Sequence, residues 1–317
     1  MTDLVLGLDS GGTKTDLAVV DRTGAVLVRR QGEGMDPTAG PAWKDRLTGL
    51  ASGLGPVSTA VLGLPYHDEI AEVTAAQLAL ARALFGPAAQ VFNDVAVAFE
   101  GALGGADGVL ILAGTGSMAW ARGPGGTHRV GGWGALFGDE GSAYWIGCAA
   151  LARVSQHLDG RSPDAAFATA LLAWLGVAPA DLLAWTYQVP NARATVASVA
   201  VGVSRLAQHG DPTAVSILNQ CADHLAQLGK TAAKACGAPA PLRWSYAGGV
   251  MKDPLVLAKL TTAMGHLPDP PLLSPVGGGR VGGSTICGMA VGSIIHRPTS
   301  TFPARPDNGP LTGHPDS

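Results

Sequence analysis

Short apolar runs alternate with glycine-rich breaks along most of this chain, and their spacing predicts its elements. Residues 4–8 pattern as a strand ending on Asp9-Ser10-Gly11-Gly12-Thr13-Lys14-Thr15, and residues 16–20 as a second. Asp21-Arg22-Thr23-Gly24 is a strong turn, from which residues 25–29 return as a third strand. A loop at 32–41 leads to a helix over 42–54 and a buried strand over 58–64 that Pro65 ends. Tyr66-His67-Asp68-Glu69 then leads into a helix reaching about residue 85. Residues 89–92 form the next strand, followed by Asn93-Asp94 and a short helix over 95–103. Three strands followed by alternating helix and strand describe an α/β domain with a mixed sheet, and Gly104-Gly105 is its expected boundary.

The second half starts over on a comparable plan. Residues 109–112 are a strand, Gly114-Thr115-Gly116-Ser117 a glycine bend, and 118–121 a second strand. Gly123-Pro124-Gly125-Gly126 turns into a third at 127–130. Helices are expected at 142–158, 163–175, 191–209 and 212–236, then a strand at 242–247 ending in Gly248-Gly249-Val250, and a helix at 254–264. A last apolar helix is expected over 281–295, and residues 298–317 hold several prolines and few apolar side chains, the pattern of a mobile tail.

Between residues 93 and 141, three clusters sit where a short strand stops: Asn93-Asp94, Ala113-Gly114-Thr115-Gly116-Ser117, and Gly132-Trp133-Gly134 with Gly138-Asp139-Glu140-Gly141. Strands that end together on glycines and acids describe the mouth of a cleft, because glycine admits close backbone approach and paired acids hold a hydroxyl or a metal. Each cluster taken alone also fits an ordinary turn with side-chain bonds to its own backbone. Likewise Asp94 and Asp139 fit as helix caps, Trp133 as core packing, and Gly248-Gly249 as a plain strand end. The bend at 9–15 sets several backbone N–H groups around one point, as a phosphate requires; Thr13 and Thr15 can add donors and Asp9 can hold magnesium through water. Gly7 to Thr13 approaches the Walker A pattern, but Thr13 stands where the lysine belongs. Gly277 to Gly282 matches GxGxxG formally, yet follows a proline-containing loop and lacks the later acid, so no dinucleotide role is expected.

Composition narrows the classes. A chain of 317 residues can bury a sizeable core and is expected to make two domains. A net charge of -3 without basic runs argues against nucleic acid as a partner. The longest apolar runs are too short and too interrupted to span a bilayer, and the direct passage from Met1-Thr2-Asp3 into a strand predicts neither signal peptide nor membrane, hence a cytoplasmic protein. Cysteines 148, 221, 236 and 287 lie far apart with no CxxC, so neither a zinc site nor a disulfide framework is expected, and Cys148 is placed in a buried helix.

Together these clusters resemble the sugar kinase/Hsp70/actin superfamily, and within it the BadF/BadG/BcrA/BcrD ATPase family, which includes N-acetylglucosamine kinases. The specific part is Gly131-Gly132-Trp133-Gly134 with Gly138-Asp139-Glu140-Gly141-Ser142-Ala143-Tyr144-Trp145. The resemblance implies two ribonuclease-H-like (actin-like ATPase) domains around a central cleft: lobes at 1–104 and 105–282, with a C-terminal helix at 283–296 packed back on the first lobe. It implies ATP and Mg2+ as cofactors, a small-molecule sugar as partner, and a homodimer as the assembly. Asp94 matches the general base and Asp9 the metal-side acid. Gly11, Gly12, Thr13, Lys14, Gly114, Thr115, Gly116, Gly210, Gly248 and Gly249 match nucleotide contacts. Asn93, Ser117, Trp133, Gly134 and Asp139 match the sugar side, with Asp36 where relatives commonly place an asparagine; a carboxylate accepts but cannot donate as an amide does. The implied activity is ATP-dependent phosphorylation of N-acetylglucosamine or glucosamine at the 6-hydroxyl. The alternative in the same family is an ATPase activator of a radical reductase or dehydratase. Such activators hold an iron–sulfur cluster on cysteines near the second and third motifs, and residues 93–100 and 112–118 contain none.

Overall fold

A computed structural model describes residues 4–11, 14–189, 191–265 and 267–269. The first sheet is built from β1 (Val5–Ser10), β2 (Lys14–Val20), β3 (Val26–Glu33), β4 (Thr59–Leu64) and β5 (Gln90–Asn93), in the order β3-β2-β1-β4-β5. β1 and β2 are antiparallel, with Asp9 opposite Asp16, while β4 and β5 add in parallel. α1 (Ala42–Ala51) and α2 (Ala71–Phe85) cover this sheet over a core that includes Leu6, Leu17, Trp43, Leu47, Leu62 and Leu64.

The second sheet repeats the plan. β6 (Gly108–Ala113), β7 (Ser117–Gly123), β8 (Gly126–Gly131) and β9 (Trp244–Ala247) lie in the order β8-β7-β6-β9, with the first three antiparallel and β9 parallel to β6. Its core is shared with α4 (Ala143–Leu158), α5 (Ala165–Leu175), α7 (Ala192–Gln208), α8 (Pro212–Cys236) and α9 (Pro254–Met264). α8 shows why a helix forms where it does. Asp211 accepts the Ala214 N–H at 2.9 Å, Pro212 opens the first turn, and Gly237 closes the last at φ 65°. Its buried stripe, from Ala214 through Ile217, Leu218, Cys221, Leu225 and Ala232, recurs at three- and four-residue spacing.

α3 (Asp94–Leu103) joins the two halves. Phe99 and Leu103 pack with Leu110, Met118 and Trp120 of the second sheet, while the helix also touches β1 and β4 of the first. The carboxyl ends of β1, β4 and β5 therefore face those of β6 and β9 across a cleft, the usual place for a ligand in a sheet with parallel strands.

Most expected elements are present, and the differences have local causes. The helix expected after Tyr66-His67-Asp68-Glu69 begins at Ala71, and Tyr66 and Asp68 take positive φ (63° and 61°) in the turn before it. A short helix, α6 (Leu182–Gln188), was not expected; no side chain caps it. β3 continues to Glu33 because its polar end pairs with β2. Cys148, expected to be buried, is exposed on α4. The final helix at 281–295, the tail at 298–317, the Gly277–Gly282 run, Gly12 and Thr13 lie outside the described residues. No single helix among the described residues is long and apolar enough to cross a membrane.

Candidate active site

The site is built from the ends of strands. On the first lobe, Asp9 stands near the end of β1, and a Cβ placed on Gly63 of β4 would lie 3.5 Å from its Oδ1 and 3.0 Å from Val97 of α3. This glycine lets α3 approach the sheet beside Asp9. At the end of β5, Asn93 caps α3: its Oδ1 accepts the Val95 N–H at 3.0 Å. Asn93, and not Asp94, is thus the cap residue, although Asp94 Oδ1 also accepts the Val95 N–H at 2.9 Å. Burial, then the nearby charges of Asp9 and Glu69, push the Asp94 carboxyl up to about 7. Asp9 keeps some exposure, yet protein crowds it closely; that desolvation and then the charge of Asp16 push it up to about 6. Lys14, whose side chain is 55% exposed, lies 3.8 Å from Asp16.

On the second lobe, the bend between β6 and β7 is tied by the Gly114 N–H to the Gly116 carbonyl at 2.9 Å, and the Gly114 carbonyl accepts the Ala143 N–H at the start of α4. Gly116 has no room for a side chain, since a Cβ would meet Asp139 Oδ2 at 2.8 Å. Gly248 has none either: its Cβ would lie 2.2 Å from the Ala113 carbonyl oxygen, and its φ is 107°. In contrast, Gly11, Gly114 and Gly249 face open space where a Cβ would stand. Gly210 lies in the turn between α7 and α8, where its N–H bonds the Ala207 carbonyl, and that turn accounts for its φ of 84°.

Asp139 is 3% exposed and holds φ 59°. Its carboxylate accepts from Arg193 at 2.8 Å and from the Ser117 N–H at 3.4 Å, while Ser142 supplies the side-chain cap of α4. Asp139 therefore is not a helix cap. Ser117 donates its hydroxyl to the Glu140 carbonyl at 2.7 Å. Trp133 is 47% exposed beside Gly134, which excludes a core role. Asp36 accepts from both the N–H and hydroxyl of Thr38, at 2.8 and 2.6 Å, capping a 3₁₀ turn. Burial first, then the charge of Asp36, raises the pKa of the Tyr66 hydroxyl, and the charge of Arg193 opposes them.

Three residues at this mouth were not singled out as site residues from the sequence. Glu69 and Arg129 pair at 2.7 Å, and Arg193 holds Asp139. Their partners lie 54 to 60 residues away, so no spacing rule exposes them. The only local signal was the Tyr66-His67-Asp68-Glu69 turn itself.

The donor set suits magnesium bound with phosphates. Among the described residues no group of three or more His, Cys, Asp or Glu could hold a metal ion, so no all-protein cage is present. Asp9, destabilised as an anion by crowding and then by Asp16, would gain from a hydrated cation held beside a phosphate chain.

Two α/β lobes on one strand order, facing each other over glycine bends and acids, define an actin-like ATPase fold of the kind seen in sugar kinases. A glucokinase of the ROK family from Streptomyces griseus, solved with glucose and AMPPNP, superposes with a TM-score of 0.53 at 20% identity, over 82% of this chain and 88% of that one. A candidate N-acetylglucosamine kinase from Chromobacterium violaceum gives 0.71 at 24%, over 93% and 98%. The chain belongs to the BadF/BadG/BcrA/BcrD ATPase family, whose family model matches residues 6–266. It is 28% identical over 294 residues to an N-acetyl-D-glucosamine kinase of Dictyostelium discoideum, covering 81% of this chain and 88% of that protein. It is also 31% identical over 137 residues to an N-acetylmuramic acid/N-acetylglucosamine kinase of Clostridium acetobutylicum, covering 43% of this chain and less than half, 45%, of that relative.

Proposed function

We propose that this chain is an ATP-dependent kinase that phosphorylates N-acetylglucosamine or glucosamine on its 6-hydroxyl. The observation that carries the reading is Asp94. Its carboxyl sits at the first turn of α3, between two lobes, with a proton affinity near neutral. A base poised there accepts a hydroxyl proton without being a strong competitor for it in the resting enzyme. The reading draws further support from the two kinases to which the chain is similar in sequence.

ATP with magnesium, when bound, supplies the transferable phosphoryl group and neutralises charge as it leaves. The residues of this chain position and deprotonate. Asp94 takes the proton of the sugar hydroxyl as the phosphoryl group arrives. The Gly11 and Gly114 N–H groups are taken by the Lys14 and Gly116 carbonyls, so the Thr115 and Gly116 N–H groups of the second bend would meet the phosphates, Gly249 would lie towards the adenine and ribose, and Asp9 would hold the cation. Ser117, Asp139 and Asn93, with Trp133-Gly134 as a wall and Asp36 at the rim, orient the sugar. In the free protein Asp139 is already engaged by Arg193, so sugar hydroxyls would share that carboxylate with it. In the same reading the lobes are residues 1–104 and 105–282.

The test is phosphorylation assayed across glucose, glucosamine, N-acetylglucosamine and N-acetylmuramic acid, with Asp94→Asn beside the unaltered chain. Turnover of an amino sugar that falls by roughly a thousandfold or more in Asp94→Asn is expected, the loss of a base and of its positioning together. ATP hydrolysis indifferent to every sugar would sink the reading and turn attention to an ATPase with a protein partner.

A further inference from the structure

Outside the base and the glycine bends, a side-chain pair among the described residues joins the lobes across the cleft mouth. Glu69 lies in the turn after β4, and Arg129 lies on β8 of the other lobe. Arg129 Nη1 donates to Glu69 Oε2 at 2.7 Å, and the two side chains are only 11% and 20% exposed. Each partner is also tied to the site. Glu69 Oε1 accepts from Asn93 Nδ2 at 3.1 Å, and Asn93 caps the helix whose first residue is Asp94. Arg129 Nη2 donates to the Gly132 carbonyl at 2.6 Å, where the Trp133-Gly134 loop begins. Gly132 makes that approach feasible, because a Cβ there would lie 2.6 Å from the same Nη2. A continuous chain of bonds thus runs from Asn93 through Glu69 and Arg129 to Gly132.

An isolated surface ion pair contributes little. Glu69 stands in an exposed turn, but both side chains are largely covered and each has a second, directional partner, so the pair's geometry is fixed at both ends. We propose that Glu69 and Arg129 form a positioning pair that holds the cap of α3 in register with the Trp133-Gly134 loop across the cleft. Its catalytic consequence rests on the sugar-kinase reading; the coupling between the two segments does not.

The experiment compares Glu69→Gln, Arg129→Met and the double variant in the full chain, by kinetics and by amide hydrogen exchange. Each single variant is expected to lower kcat/KM for the amino sugar by roughly tenfold, with the KM for ATP unchanged, and the double to be no worse than either single. Amide exchange in residues 93–97 and 131–134 should rise together in both singles, since loss of either partner releases both segments. Additive kinetic losses, or wild-type kinetics in folded variants, overturn the proposal. So does exchange that rises only beside the substituted residue. If the unaltered chain phosphorylates no sugar, the functional reading fails by itself, and the exchange experiment alone decides the coupling.

Discussion

Asp94 is held where its ionised form is disfavoured, and that has a consequence for stability. A carboxyl whose pKa rises from 3.8 to about 7 on folding binds more protons in the native than in the unfolded chain between those values. Native stability contributed by this group is therefore full below about pH 4 and falls as pH rises through 7. Asp94→Asn removes the penalty, so the variant should melt higher than the unaltered chain at pH 8, by on the order of 2–4 kcal/mol of unfolding free energy. The gap should close as pH falls towards 4. A difference in melting that ignores pH would show that the carboxyl is not destabilised. Glycines 248 and 249 make a second residue-scale contrast. Gly248→Ala forces a Cβ to 2.2 Å from a carbonyl oxygen at φ 107°, and should lower stability by more than about 2 kcal/mol or abolish soluble folding. Gly249→Ala meets nothing within 4 Å and should fold normally. In the proposed reading the new methyl group meets the nucleotide near its adenine and ribose, so calorimetric titration with ATP should then show weakened binding.

At the scale of elements, caps decide where helices begin, and they also decide how much could be read in advance. Asn93 satisfies the Val95 N–H and reaches the His67 carbonyl at 3.1 Å as well as Glu69. Asn93→Ala should lower thermal stability by roughly 1–3 kcal/mol and increase amide exchange in the first turn of α3. If only turnover changed, Asn93 would be a ligand contact without a structural role. The two helices whose limits were anticipated residue for residue, α8 and α9, carry their own punctuation. Each has an aspartate cap, a proline in the first turn and a glycine at φ 65° or 86° after the last. α6 has no capping side chain and no glycine after it, and at seven residues its apolar pattern is too short to announce a helix. Strand ends were equally legible, because glycine bends follow β1 and β6. What the sequence could not disclose is which charges meet across the cleft. Arg193 and Asp139 are brought together by the packing of α7 on α4, and Arg129 and Glu69 by the facing of two sheets. The exposure of Cys148 escaped for a related reason: an apolar run in α4 does not say which of its faces the core takes.

For the whole molecule, the junction between lobes behind the cleft is an apolar contact crossed by Arg122. Phe99 and Leu103 of α3 pack on Leu110, Met118 and Trp120 of the second sheet, and Arg122 of β7 lies over the Phe99 ring at 4.9 Å. Its guanidinium donates to Glu100, to Asp107, and to the carbonyls of Gly105 and Ala106, the segment linking α3 to β6. Glu100 is 8% exposed, and its Oε2 has no hydrogen-bond partner among the described residues. Removing Arg122 thus strands a buried carboxylate and frees the linker at once. Arg122→Met is expected to lower unfolding free energy by roughly 3–5 kcal/mol, the range for a buried ion pair deprived of one partner. Adding Glu100→Gln should restore part of that loss, because the stranded charge is gone. The remainder belongs to the linker carbonyls, which no change at position 100 can satisfy. Denaturant unfolding of the three variants gives the partition directly. Full restoration in the double variant would assign the whole effect to the charge, and none would place it in the linker, making Arg122 a tie between lobes more than a counter-ion.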